Sequence, residues 1–337
     1  MGRRTPHDQG PSRGQEATIR AERTDSRPIL TDGGVGTTDA DSTARTGTSA
    51  QSNGAAPSET GVSAPAPDAG MAVWTSQVRA FAERCLRELS TGTTMLLTLV
   101  GTAAGMQLFY GSLWEEMSAA MIASAAIGTG MFGAIYVCLY AFGYLLAGDL
   151  EDRRYEAYRS MPIAASADLT GRMVAAGALA AVAFGLTLVA GVVTGGTFAL
   201  RSLASIPVVV LAFVVTCLFW MLVALPVIAT AANERLAEYG VPMIAVLGYM
   251  LTGFNGANVA ISPLQGEVLN YLPNTLSTRL LIYHLVPTGE WADAGLGPPG
   301  PPVGPEYVLL LVAYAVVVLV AGTVVTNRVL YERGWWP

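Results

Sequence analysis

"GDLEDRRYEAYRSMPIAASADLTGR" occupies residues 148–172 and separates two long, almost continuously apolar runs of the chain. The stretch contains four of the 19 basic residues, Arg153, Arg154, Arg159 and Arg172. A polar break between two apolar runs is typical of a connection between membrane spans. The stretch is therefore either a solvated loop or a surface that binds another protein.

The composition indicates a membrane protein. Of 337 residues, 52% are hydrophobic and 13% are charged, and the mean hydropathy is +0.45. Soluble domains carry about 25% charged residues. Several apolar runs exceed the ~18 residues that suggest a membrane-spanning helix. The sequence therefore predicts an all-α membrane protein.

The charged residues exclude several functions. All 19 basic residues are arginine, so the chain lacks the lysine of a phosphate-binding GK[ST] loop and of Schiff-base catalysis. A net charge of −6 disfavours nucleic acid as a partner. Cys85, Cys138 and Cys217 have no metal-binding spacing. We expect neither an enzyme nor a bound cofactor or metal.

The two ends of the N-terminal region differ in composition. Residues 1–70 are a low-complexity tail with few large apolar side chains, which predicts disorder. Translation from Met71 is an alternative explanation for this tail. Residues 71–92 have a helical apolar stripe and an arginine-bearing polar face, typical of a helix lying in the membrane interface. The stripe consists of Trp74, Val78, Phe81, Cys85 and Leu89.

Residues 93–337 are predicted to form a six-helix transmembrane domain. Each apolar run is long enough, at about 1.5 Å per residue, to cross a hydrocarbon core of roughly 30 Å. Glycines and asparagines interrupt the far end of the fifth run. The predicted spans are 93–110, 119–147, 173–193, 206–232, 241–261 and 307–330.

Arginine counting predicts the orientation. With the tail left out, ten arginines fall on the side of residues 148–172, and only Arg201 and Arg279 fall on the other. The positive-inside rule then places both termini in the cytoplasm of a multi-pass plasma-membrane protein. The ten are Arg79, Arg84, Arg87, Arg153, Arg154, Arg159, Arg172, Arg235, Arg328 and Arg333.

The segment 262–290 is predicted to form an external helical hairpin between spans five and six. Pro273 divides two short apolar pieces, and Leu276, Leu280 and Tyr283 recur at helical spacing in the second. So many leucines favour contact with the outer leaflet over a disordered loop, which is the alternative. A proline-rich spacer then leads into span six.

Few polar groups lie inside the spans. The span centres lack ionisable side chains, which disfavours a proton- or ion-coupled carrier. Gln107, Asn255 and Asn258 are the candidates for lining a substrate pathway. The alternative is that these amides make structural hydrogen bonds between helices.

The segment 149–165 is predicted to contain a short helix from Asp149 to Ser160, which Pro162 would end. Acids precede arginines at helical spacing, in the favourable orientation. Aromatic and arginine side chains are typical of protein interfaces. The predicted pairs are Asp149 with Arg153, Glu151 with Arg154, and Glu156 with Arg159.

Residues 72–335 resemble an ABC-2 type transporter permease. The resemblance rests on the layout and on one motif, Glu151-Asp152-Arg153-Arg154, Glu156, Ser160-Met161-Pro162-Ile163 and Gly171-Arg172. It implies the membrane subunit of an ABC exporter. Such a subunit pairs with a second permease copy or a paralogue, and ATP binds on separate ATPase subunits.

The resemblance also implies that 149–165 is the coupling segment to the ATPase. The residues expected to contact it are Glu151, Arg153, Arg154, Glu156, Tyr158, Arg159 and Pro162. The absence of lysine agrees, because the nucleotide site would then lie on another chain. Two alternatives remain: a non-transporting membrane scaffold that recruits a soluble partner, and a secondary carrier.

Overall fold

The computed structural model describes residues 67–113, 117–231, 235, 239–264, 266–289 and 291–331. Within these residues all regular secondary structure is helical. The predicted tail at 1–70 lies outside the described residues except for 67–70, where the first helix begins. The α-helices are α1 (Pro67–Ser90), α2 (Thr93–Leu113), α3 (Ala119–Glu151), α4 (Arg154–Ser160), α5 (Ala165–Val193), α6 (Ser205–Ala231), α7 (Val241–Leu251), α8 (Gly253–Gly256), α9 (Pro273–Leu285) and α10 (Pro305–Val325).

Five helical segments in the described part of the chain are long and apolar enough to cross a membrane. This confirms a multi-span helical membrane protein. The segments are Thr93–Leu113, Ala119–Glu151, Ala165–Val193, Ser205–Ala229 and Pro305–Arg328. They correspond to predicted spans one to four and six.

The predicted fifth span, 241–261, is not a continuous helix. α7 has 11 residues, which is about 16 Å of helix and too short for the hydrocarbon core. Four consecutive residues from Gly253 to Gly256 then have positive φ, with 56° at Phe254 and 57° at Asn255. A right-handed helix cannot continue through left-handed residues. The glycines at both ends of α8 permit this turn at low cost.

α3 is the centre of the fold. In the apolar part of α3 that could span the membrane, 89% of the residues are buried, against 22% for α2 and 17% for α10. Small residues allow close packing, as where Gly133 of α3 lies directly against Ala103 of α2. α3 therefore carries the core, and α2 and α10 lie at the periphery.

Three of the five residues of the apolar stripe of α1 are buried against protein, and the position of α1 in the membrane interface stays a prediction. Phe81, Cys85 and Leu89 are buried, and α1 packs against α5. A Cβ at Gly171 of α5 would lie 2.5 Å from Phe81 Cβ. Gly171 leaves room for α1 to approach α5 closely at Phe81.

The predicted hairpin at 262–290 contains one α-helix. A 3-10 turn, Gly266–Asn270, precedes α9, so the first predicted piece is too short to pair as a second helix. α9 is buried from Asn274 to Ile282 and packs against α6, α8 and α3. It is thus covered by protein on several sides.

Candidate functional site

A polar cluster lies where α3 ends and α5 begins, with α4 as the connection between them. Its members come from five elements: α1, α3, α4, α5 and the π-helical segment Thr326–Tyr331 that follows α10. We call it the α4 cluster. It consists of Arg84, Asp149, Arg154, Tyr155, Tyr158, Asp168, Arg172 and Tyr331.

The helix predicted from Asp149 to Ser160 is broken at Asp152 and Arg153. Arg153 is left-handed, with a φ of 55°, so α3 stops and α4 starts in a new direction. As a result the carboxylate of Asp149 pairs with Arg154, at 2.8 Å from its Nη1. The predicted pairing with Arg153 required an uninterrupted helix and was wrong.

Asp149 is the hub of the cluster, and its side chain is 1% exposed. Its Oδ1 accepts hydrogen bonds from Arg84 Nη2 at 2.6 Å and Arg154 Nη1 at 2.8 Å. Its Oδ2 accepts one from Arg172 and one from the Tyr158 hydroxyl at 3.2 Å. A buried carboxylate requires such partners because its desolvation is costly.

Arg172 carries the second buried charge, and its side chain is 2% exposed. Its Nε donates to Asp168 Oδ1 at 2.7 Å, its Nη1 donates to the carbonyl of Leu145 at 3.0 Å, and its Nη2 donates to Asp149. One guanidinium therefore joins the last turns of α3 to the first turns of α5. Its planar fork suits this bridging role better than an ammonium would.

Tyrosines close the cluster around Asp168. The hydroxyls of Tyr155 and Tyr331 donate to Asp168 Oδ2 at 3.0 and 3.1 Å. Burial raises the pKa of Tyr155 well above its ordinary value, so this phenol stays a donor at neutral pH. Burial likewise raises the pKa of Tyr158.

α1 holds the connection between α3 and α5 from outside. Partial burial lowers the pKa of Arg84, but the hydrogen bond and charge of Asp149 outweigh this and raise it above the ordinary value. Gln77 Nε2 donates to the carbonyl of Pro162 at 2.9 Å, and its Oε1 accepts from the Ala164 amide at 3.1 Å. Trp74 Nε1 donates to Ser166 Oγ at 3.1 Å.

The predicted coupling residues divide into two groups. Glu151, Arg153, Glu156 and Pro162 are exposed. Arg154, Tyr158 and Arg159 are half-buried and make internal contacts. The guanidinium of Arg159 donates twice to the carbonyl of Leu330, at 3.0 and 2.8 Å.

We call residues 151–164, which run from the end of α3 through α4 to the start of α5, the α4 connection. Its exposed surface is broader than the sequence predicted. It also includes Asp152, Ala157, Ser160 and Met161. Met161 is 50% exposed, next to charged and small side chains. Methionine is a flexible apolar side chain that can adapt its shape to a neighbouring surface.

Sequence reasoning missed Gln77, Arg84, Asp149 and Asp168 as site residues. Asp149 and Asp168 stand at the polar ends of apolar runs, where a carboxylate is usually solvated. Only their meeting across the α3–α5 connection explains their burial. The one signal for them in the sequence is the presence of Arg172 at the same boundary.

The three predicted pathway amides do not line one site. Asn255 is buried in α8, where its Nδ2 donates to the carbonyl of Gly128 at 3.4 Å and its Oδ1 accepts from Asn274 at 3.0 Å. This geometry favours the structural alternative. Asn258 lines a cavity of about 60 Å³ near Met121 and Gly295, whereas Gln107 is buried in α2.

A larger, apolar cavity of about 280 Å³ lies between α5, α6 and α10. Its lining includes Met173, Phe213, Cys217 and Leu319. Among the residues that the structure describes, no group of three His, Cys, Asp or Glu side chains is placed to hold a metal ion.

No family model matches the chain, and the comparison with curated proteins finds no significant match either.

Proposed function

We propose that the protein is the permease subunit of an ATP-driven ABC-2 type exporter. In this proposal the α4 connection receives the movement of a separate ATPase. The observation that carries it is α4 itself. A seven-residue helix between two long membrane helices has a buried inner face and an exposed outer face.

The α4 cluster supports the proposal because it is suited to transmitting force. A push on α4 reaches α3 through Arg154 and Asp149. It reaches α5 through Tyr155 and Asp168. Arg172 then joins α3 to α5 through buried pairs with Asp149 and Asp168, which resist displacement because separating them leaves an unpaired charge in a region of low dielectric.

The arginine distribution supports a cytoplasmic location for the α4 end, where a soluble ATPase would bind. The protein would act in the plasma membrane with both termini inside the cell. A second permease copy or a paralogue would complete the pathway, and the substrate would leave the cell.

The test is affinity purification of the full chain from its native membrane, with assay of the purified material for a bound ATPase. We expect Glu156→Arg and Arg153→Glu to reduce the captured ATPase at least fivefold, because both side chains are exposed on the α4 connection. Glu306→Arg is the matched control, since it reverses an exposed charge at the other end of the bundle.

Two results would refute the proposal. One is the absence of any ATPase in the wild-type complex. The other is capture of as much ATPase by Glu156→Arg and Arg153→Glu as by the wild type, or an equal loss in these variants and in the Glu306→Arg control, because either result shows no specific contact at α4.

A membrane scaffold is the second candidate, and the exposed α4 surface favours it as well. A rigid platform next to the bilayer can recruit a soluble protein without moving any substrate. ATP hydrolysis distinguishes the two proposals. A scaffold would bind its partner without any ATP hydrolysis by the complex. A permease and its ATPase would together hydrolyse ATP, and the activity would depend on both subunits.

A further inference from the structure

Arg279 is a buried cation at the end of the bundle opposite α4. It lies on α9, and it is 0% exposed. Burial lowers its pKa to about 10, so it remains charged at neutral pH. Its Cζ lies 5.2 Å from the centroid of the Trp291 ring, a distance typical of a cation–π contact.

The guanidinium of Arg279 joins three separate segments. Its Nε donates to Asn270 Oδ1 at 2.8 Å, before α9. Its Nη1 donates to the carbonyl of Gly256 at 3.4 Å, in the left-handed turn α8. Its Nη2 donates to the carbonyls of Pro299 and Gly300, in the proline-rich spacer.

Asn270 reinforces the same connection. Its Nδ2 donates to the carbonyl of Gly300 at 3.1 Å, so the spacer is held by two side chains. The spacer leads directly to Pro305, where α10 begins. Arg279 and Asn270 therefore determine where α10 enters the bundle.

The other end of α10 is fixed by the α4 cluster. The segment Thr326–Tyr331 continues α10. Its Leu330 carbonyl accepts both hydrogen bonds from Arg159, and its Tyr331 hydroxyl donates to Asp168. Along its length α10 buries only Leu311 and Gly322. The middle of α10 packs against α6 through apolar contacts, and the hydrogen bonds from Arg159 and to Asp168 fix its last turns.

We propose that α10 connects the two ends of the protein mechanically, with Arg279 as the positioning residue at the α9 end. A displacement of α4 would pull Leu330 and Tyr331, move α10, and reach the turn α8 through the spacer and Arg279. A helix between two anchored ends transmits displacement because it changes length very little. Coupling of this kind acts equally in both directions.

The experiment is hydrogen exchange on the full chain in lipid nanodiscs. Arg279→Lys keeps the charge but removes the fork that reaches all three segments. We expect at least threefold faster exchange in residues 253–258 and, at the opposite end, in residues 326–331. Arg201→Lys is the matched control. It changes the other arginine at the α9 end, which lies 3.9 Å from the Tyr283 ring centroid, and should leave residues 326–331 unchanged.

The reciprocal variant is Arg159→Met, which should speed exchange in residues 253–258. Asn270→Ala is the substitute variant if Arg279→Lys does not fold. It removes one part of the connection, so it should speed exchange in the same two regions by a smaller factor. Faster exchange confined to the mutated end in both variants would overturn the proposal. The experiment uses no ATPase, so its failure leaves the proposed function standing.

Discussion

Asp149 shows why charged residues at the ends of apolar helices cannot be judged from sequence alone. The helical spacing correctly indicated that it pairs with an arginine. It could not identify the arginine, because one left-handed residue, Arg153, redirects α4 and brings Arg154 to the carboxylate. The partners Arg84 and Arg172 lie 65 and 23 residues away in sequence. Local patterns do not contain such contacts.

Asp149→Asn tests the energetic importance of this carboxylate. Removing one partner of a buried charge pair costs about 3–5 kcal/mol, because the remaining charges are left uncompensated. We expect a clear drop in the thermal unfolding midpoint of the purified protein. Asp152→Asn is the control. The Asp152 side chain is 58% exposed in its pair with Arg154, and such pairs contribute about 0–1 kcal/mol. Equal destabilisation by both variants would contradict the role of Asp149.

The buried Tyr155 predicts a dependence of stability on alkaline pH. Burial raises its pKa in the folded protein above the ordinary tyrosine value of about 10. Above pH 10 the unfolded chain loses this proton and the folded chain keeps it, so stability is complete below pH 10 and falls as the pH rises. The slope for one such group is at most about 1.4 kcal/mol per pH unit. Tyr155→Phe should flatten the decline in unfolding midpoint measured between pH 9 and 11. If the unfolding midpoint of Tyr155→Phe declines as steeply as that of the wild type, groups other than Tyr155 cause the decline.

At the scale of elements, the apolar runs predicted six membrane-spanning helices, and five of them correspond to helices long and apolar enough to cross a membrane, because length and hydropathy are local properties. The same criteria failed for residues 241–261. The composition there is apolar, but the four left-handed residues of α8 stop the helix. Stacking of Phe254 on Tyr249, with centroids 4.8 Å apart, helps to hold this turn. That contact depends on tertiary structure, although Gly253 and Gly256 were visible as interruptions.

The contact of α1 with α5 depends on Gly171. A Cβ there would lie 2.5 Å from Phe81 Cβ and 2.8 Å from the carbonyl oxygen of Val78. Gly171→Ala should therefore push α1 away, at a cost of about 1–3 kcal/mol. We expect faster hydrogen exchange in residues 74–88.

Gly177→Ala is the matched control for this prediction. It lies on the same helix, and a Cβ there would have no neighbouring heavy atom within 4 Å. Its exchange in residues 74–88 should equal that of the wild type. Loosening of α1 by both variants would indicate a general effect on α5 instead of a local clash.

For the whole molecule, the described contacts define two polar regions at opposite ends of an apolar bundle. The α4 cluster joins α1, α3, α4, α5 and the segment after α10. At the other end Arg279 joins α8, α9 and the proline-rich spacer. The sequence identified 149–165 as a special segment, but it did not show that its tyrosines face inward. Under the proposed function, the partner would meet the exposed face of α4 that includes Glu156, next to the exposed Met161.

The orientation in the membrane is the last prediction, and it rests on arginines that this arrangement now explains. Arg84, Arg154 and Arg172 all belong to the α4 cluster. Structural demands therefore account for part of the charge excess at the α4 end. The positive-inside rule nevertheless acts on the charges themselves during insertion, so the α4 end should still be cytoplasmic.

A membrane-impermeant maleimide should label Asp293→Cys in intact cells, and Glu156→Cys only after permeabilisation. The natural Cys85, Cys138 and Cys217 are buried, so the wild type serves as the unlabelled background. Labelling of Glu156→Cys in intact cells would reverse the orientation and remove the α4 end from any contact with a cytoplasmic ATPase.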